Sequence, residues 1–152
     1  MSLYELFIRL GVALLLGIAI GVERQWRSHY VGLRTNTLVT LSSAAMTVFS
    51  LKFAMGDPSA TSRIVAGIIA GVGFLGAGVI IHEGMTVRGC HTAATLWCSV
   101  AVGLFAGGGY LTEAAMLTGF IILINLFLRP ISHYINEQTE CGKACQDDKE
   151  GV

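Results

Sequence analysis

The sequence predicts an all-α polytopic membrane bundle of about five transmembrane helices, followed by a short polar C-terminal tail. Three observations carry that prediction. The 152 residues are 53% apolar and only 13% charged, about half the charged share of an ordinary soluble domain. The apolar residues gather into five runs, Leu3–Val22, Thr35–Met55, Ile64–Ile81, Cys90–Gly107 and Leu111–Leu128. Each run is roughly 20 residues long, the length a helix needs to cross a ~30 Å hydrocarbon layer. A formal net charge of zero leaves no basic field to gather nucleic acid, so nucleic-acid binding is disfavoured.

Span one is read as an uncleaved helix. Glu5 and Arg9 border its start and Glu23-Arg24 its end, without a small-residue cleavage site, and four more runs follow. Arg9 lies one turn after Glu5, so an i, i+4 contact with the guanidinium reaching outward makes it an interface anchor. A buried role within the bundle is the alternative.

Span two is rich in hydroxyls: Thr35, Thr37, Thr40, Ser42, Ser43, Thr47 and Ser50. In a membrane helix these can bond back to carbonyls of the preceding turn at low cost, or line a polar path.

Span three contains Gly71-x-Gly73-x-x-Gly76, the spacing of a dinucleotide-binding fingerprint. That chemistry needs a preceding strand and an acidic residue about 20 positions on. Neither is present: the apolar run "RIVAGIIA" continues unbroken into the glycines, and positions near twenty carry Thr95 and Leu96. Read as a helix, Ala66, Ala70, Gly73 and Ala77 form one stripe of small residues. Gly67, Gly71, Gly76 and Gly78 adjoin it. Small side chains let backbones approach, which is how helices associate where lipid is as apolar as leucine. Span three is therefore expected to be the central packing helix, with Ala13, Gly17 and Gly21 on span one as its partner face. A local break exposing backbone to an ion is the alternative.

Charge sets orientation. Arg24, Arg27 and Arg34 lie between spans one and two, Arg88 between three and four, and Arg129, Lys143 and Lys149 after span five. The positive-inside rule puts these at the cytoplasm, with the N-terminus outside and the C-terminus inside. The same face would gather Glu23, Arg24, Arg34, Thr35 and Asn36 with Arg88, His91, Thr92, Asn125 and Arg129, the strongest candidate polar network in the chain. His82, Glu83, Cys90 and His91 match no transition-metal spacing, and the acidic residues lie near span ends, so no metal site or cofactor is predicted. No Gly-Lys-Ser/Thr phosphate loop, catalytic triad order or carboxylate pair points to an enzyme.

The motifs "IGVERQWR", "GLRTN", "GVGFLGAGVIIHEGMTVRG", "TAATLWCSVAVG" and "NLFLRP", in this order, closely resemble the membrane domain of the MgtC/SapB family of bacterial inner-membrane proteins. The resemblance covers span one to about Pro130. It implies a membrane domain over 1–130 and a polar tail over 131–152. It also implies a regulatory role in adaptation to low magnesium and, in pathogens, in survival inside macrophages, exerted on other membrane complexes such as the F-type ATP synthase. Transport of Mg2+ or another small ion is the alternative function. Glu23, Arg24, Gly32, Arg34, Thr35, Gly73, Gly76, Gly78, Arg88, Gly89, Thr92, Ala93, Asn125 and Arg129 match the family's recurrent positions. Cys90 and His91 depart from it, standing where relatives usually have Leu followed by Asn or Thr. Many relatives also carry a C-terminal ligand-binding module, which these 152 residues are not expected to encode. Self-association in the bilayer is expected from the small-residue faces.

Overall fold

A computed structural model describes residues 2–26, 32–54, 57–83 and 86–128. The elements are helices α1 (Leu3–Trp26), α2 (Leu33–Phe53), α3 (Pro58–Val79), α4 (Cys90–Gly108) and α5 (Leu111–Leu128), with strands β1 (Ile81–Glu83) and β2 (Thr86–Arg88) between α3 and α4. α1 to α4, the strands and α5 as far as Ile121 form one compact unit; the chain from Ile122 onward is a second, described as far as Leu128. Arg129 and the tail over 131–152 lie outside the described residues.

Local chemistry fixes the ends of the helices. Ser2 and Glu5 make a reciprocal capping box on α1, the Glu5 amide donating to Ser2 Oγ (3.2 Å) and the Ser2 amide to Glu5 Oε2 (3.1 Å). Asp57 caps α3 by accepting from the Ser59 amide at 2.8 Å, with Pro58 in the first turn, where its missing N–H costs nothing. α4 ends at Gly109, whose φ of 94° lets the Tyr110 amide turn back to the Phe105 carbonyl at 3.0 Å. β1 and β2 pair antiparallel, with Ile81 opposite Arg88 and Glu83 opposite Thr86.

Among the described residues, four of the five helices are long and apolar enough to cross a membrane. α2 is long enough at 21 residues, but its hydroxyls make it too polar to qualify by composition. The fold resolves this by making α2, and not α3, the central helix. α2 lies between α1 and α4, and α3 packs at the side against α4 and α2. The expectation for span three is thus corrected: of α3, only Val72 is buried. The Ala13, Gly17, Gly21 stripe of α1 likewise receives α2 and not α3. A Cβ on Gly17 would lie 2.9 Å from Thr37 Cα, and one on Gly21 2.7 Å from Leu33 Cα.

α4 brings a matching seam to the other side of α2. Ser99, Gly103 and Gly107 recur every four residues and are all buried. A Cβ on Gly107 would stand 2.5 Å from the Ala44 carbonyl oxygen and 2.8 Å from Thr47 Cβ, and one on Gly103 would overlap Ser43 Oγ and the Thr40 carbonyl. Two small-residue seams therefore clasp one helix at backbone distance, the close approach that lipid-embedded helices use for van der Waals contact. Around them Ala13, Ile20, Ala44, Val102, Ala106, Ala114 and Ile121 make the apolar core.

Arg9, part-buried one turn after Glu5, has a different partner from the one expected. With Glu5 committed to the cap, the Arg9 guanidinium crosses to α4 and Nη1 donates to the Gly107 carbonyl at 2.9 Å. That carbonyl is among the last four of α4, which have no partner within the helix. Arg9→Met removes the donor and is expected to cost about 1–2 kcal/mol, read as a lower thermal midpoint of the detergent-solubilised protein. A midpoint equal to wild type would argue that water caps α4 equally well.

Candidate functional site

Most of the buried polar residues lie on α2 and α4, whose facing sides they line. On α2 they are Asn36, Thr40, Ser43, Thr47 and Ser50, spaced four, three, four and three apart, a single stripe of a helix. Most of their hydroxyls are spent locally: Thr40 donates to the Asn36 carbonyl (2.9 Å), Thr47 to Ser43 (2.7 Å) and Ser50 to Thr47 (2.7 Å). Back-bonding is the geometry of Thr40, Ser42, Ser43, Thr47 and Ser50, whereas Thr37 Oγ1 is buried without a hydrogen-bond partner among the described residues. Two positions also reach across. Ser43 Oγ lies 3.1 Å from both the Thr40 and Val100 carbonyls, and Ser99 Oγ lies 2.9 Å from Asn36 Oδ1 and 3.0 Å from the Thr95 carbonyl. Asn36 Nδ2 in turn donates to the Gly32 carbonyl at 2.9 Å, so both ends of a buried amide are used, as burial requires.

At the end of the bundle where α1 finishes and α2 and α4 begin, the stripe meets Arg24. This side chain is 1% exposed. Its Nη2 donates to Thr92 Oγ1 at 2.9 Å, and Nη1 lies 3.0 Å from His91 Nδ1. A guanidinium only donates, so His91 Nδ1 is the acceptor and the ring proton sits on Nε2. Arg24 is thereby a two-pronged tie from the last turn of α1 to the first turn of α4. At the same corner the Leu33 amide, first in α2, donates to Gln25 Oε1 at 3.4 Å.

The candidate network from the sequence divides accordingly. Arg24, His91 and Thr92 are in direct contact, and Asn36 joins Ser99 two turns into α4. Arg34 and Thr35 point away from the protein on the first turn of α2, Glu23 is half-buried, and Arg88 is exposed on β2. Asn125 is buried on α5 within the second unit, and Arg129 lies outside the described residues. Sequence reasoning passed over Ser99, Gly103 and Gly107. Their four-residue spacing was the available signal, and the denser glycines of α3 drew attention from it.

Those α3 residues stand differently. Ala66, Gly67, Ala70, Gly71, Gly73, Ala77 and Gly78 are exposed, and a Cβ added at Gly67, Gly71, Gly73 or Gly78 would meet nothing within 4 Å. Gly76, half-buried, is the exception, facing Ala93 of α4 at 3.7 Å. The exposed surface also carries large apolar groups, such as Phe7 and Leu15 on α1, Phe49 and Phe53 on α2, Phe74 and Leu75 on α3 itself, and Phe120 and Phe127 on α5. Among the described residues no group of three or more His, Cys, Asp or Glu is placed to hold a metal ion.

A family model described as the MgtC family matches residues 10–134. Protein MgtC of Brucella abortus (strain 2308) is 52% identical over 126 residues, covering 83% of this chain and 52% of that protein. Protein MgtC of Salmonella typhimurium (strain 14028s / SGSC 2262) is 46% identical over 137 residues, covering 90% and 58%. An uncharacterized protein of Synechocystis sp. is 44% identical over 156 residues, covering 96% and 66%. The chain thus spans between about half and two thirds of the length of these relatives. No solved structure matches it. Apolar helices of membrane-spanning length and a family match over most of the sequence lead to one assignment: this multi-pass membrane chain belongs to the MgtC family.

Proposed function

We propose that this protein is a non-enzymatic regulator of the bacterial inner membrane that works by docking its α3 face on helices of other membrane proteins, including further copies of itself. The observation that carries the reading is the contrast between three small-residue seams. Those of α1 and α4 each hold a helix at backbone distance, whereas the ribbon Ala66, Gly67, Ala70, Gly73 and Ala77 of α3 is open. In hydrocarbon such a surface gains little from acyl chains and much from a closely fitting helix. The family's link to low magnesium, and in pathogens to intramacrophage survival, makes magnesium-limited membranes the setting and complexes such as the F-type ATP synthase the partner class. The orientation that suits this reading puts the N-terminus outside and the Arg24 corner, with Arg34 and Arg88, at the cytoplasmic rim.

Gly73→Leu is expected to lower recovery of crosslinked oligomers and partners from magnesium-limited membranes about tenfold while leaving the solubilised monomer as stable as wild type, since nothing in the bundle faces Gly73. Undiminished recovery would overturn the docking reading. Ion transport is the competing function, and it is set back by hydroxyls of α2 that are already committed to backbone carbonyls. Mg2+ flux into reconstituted vesicles, lost on Arg24→Ala, would establish transport instead.

A further inference from the structure

We propose that Arg9 is a phospholipid site, its guanidinium bridging the end of α4 to the phosphodiester of a lipid headgroup. The inference goes beyond the docking of α3 and does not depend on it. Arg9 stands on the second turn of α1 and is half-buried. Its guanidinium reaches the end of α4, where Nη1 donates to the Gly107 carbonyl at 2.9 Å. α4 and α5 both have membrane-spanning length, and the turn between them is Gly109 and Tyr110. That turn lies at a membrane–water boundary, and the guanidinium lies there with it. Tyr4 and Tyr110, both exposed, mark the same end of the bundle, as tyrosines do at headgroup depth.

A guanidinium cannot shed its proton, so its charge has to be met where it stands. Among the described residues Arg9 has one hydrogen-bond partner, the Gly107 carbonyl, and no carboxylate at ion-pair distance. The acidic groups at this end are engaged elsewhere: Glu5 accepts from the Ser2 amide at 3.1 Å, Asp57 from the Ser59 amide at 2.8 Å and Glu113 from the Thr112 hydroxyl at 2.7 Å. The C-terminal end of α4 offsets only about half a charge. With Nη1 on the carbonyl, Nε and Nη2 remain, the parallel pair of donors that matches two oxygens of a phosphate. Neither is enclosed by the protein, since the buried nitrogens and oxygens that lack a partner among the described residues do not include them. Gly109 seats the group. A Cβ there would lie 2.9 Å from Nη2, 3.0 Å from Cζ and 3.4 Å from Nε, so bare backbone is what lets the guanidinium rest this close to the end of α4.

The full chain in phosphatidylglycerol bilayers, labelled with 13C at the arginine guanidino carbon, tests this through dipolar dephasing by 31P. The buffer contains no phosphate, so lipid is the source of all the phosphorus. The Arg9 signal is the one lost in Arg9→Gln, and it should dephase at the rate of a guanidinium in direct contact with phosphate. An Arg9 signal that does not dephase would overturn the site. In phosphorus-free maltoside micelles, added phosphatidylglycerol should raise the thermal midpoint of wild type and of Arg88→Gln, altered at the opposite end, but not that of Arg9→Gln. An equal rise in Arg9→Gln, or an equal rise of wild type with inorganic phosphate at the same concentration, would overturn the assignment to lipid. Should Arg9→Gln fail to fold, Arg9→Lys takes its place. Lysine keeps the charge without the paired donors, and its affinity for phosphatidylglycerol should fall about tenfold; affinity equal to wild type would overturn the two-donor contact.

Discussion

Gly103→Leu is expected to prevent the bundle from assembling. A side chain at this position has no direction in which to go, because its first carbon already overlaps Ser43 Oγ and the Thr40 carbonyl. Relief requires α4 to move off α2, which breaks the approach of Ser43 to the Val100 carbonyl and of Ser99 to Asn36. Overpacking alone costs about 1–3 kcal/mol, and although Ser43 and Ser99 keep the Thr40 and Thr95 carbonyls, loss of the Ser99 hydroxyl from buried Asn36 Oδ1 adds about 1–3 kcal/mol. The sum, on the order of 5 kcal/mol, is comparable with the whole stability of a small domain. Gly67→Leu on α3 is the matched control, since nothing lies within 4 Å of its added Cβ. Accumulation in membranes and the thermal midpoint after detergent extraction read the difference. Loss in Gly103→Leu with retention in Gly67→Leu is the expected pair of results. Equal behaviour of the two would mean that the α2–α4 seam is not what holds the bundle.

The second large effect is expected at Arg24. Truncation to alanine leaves a void at a fully buried position and takes the donors from His91 Nδ1 and Thr92 Oγ1. A hydrogen bond involving a charged group contributes about 1.5–3 kcal/mol, so Arg24→Ala should lose on the order of 3 kcal/mol. Arg24→Lys keeps the charge but not the planar fork that reaches both acceptors from one buried stem, and most of the loss should remain. Denaturation midpoints of the three proteins in the same detergent check this. A lysine variant as stable as wild type would show that a charge in the right place, and not the two-pronged geometry, joins α1 to α4.

Much of this fold is written locally, and the part that is not has a common cause. Length and apolar content define α1, α4 and α5 because crossing hydrocarbon is a property each segment has by itself. The position of α2 is a different kind of fact. Its hydroxyl stripe is as visible in the sequence as the ribbon of α3, but which neighbour each residue meets is settled by pairings 57 and 63 positions apart, Ser43 with Val100 and Asn36 with Ser99. Density of glycine misleads for the same reason. α3 has more small residues than α4, yet the two that receive a helix backbone on α4 are Gly103 and Gly107. Arg9 reads as an interface anchor because its acceptor, the Gly107 carbonyl, is 98 positions away. At the Arg24 corner the residue types were legible and their contacts were not. Nothing in the spacing says that Arg24 turns inward to His91 and Thr92 while Arg34 turns out.

The hydroxyl-bearing α2 also has a bearing on biogenesis. As the ribosome delivers the chain, this helix leaves the tunnel well before α4, the helix that accepts from Ser43 and donates to Asn36. Until α4 follows, α2 has only α1 and its own carbonyls for company, and it is less apolar than the four other helices. Its stable residence in the bilayer is therefore expected to depend on a segment translated some fifty residues later, so that insertion of α2 and α4 should be coupled.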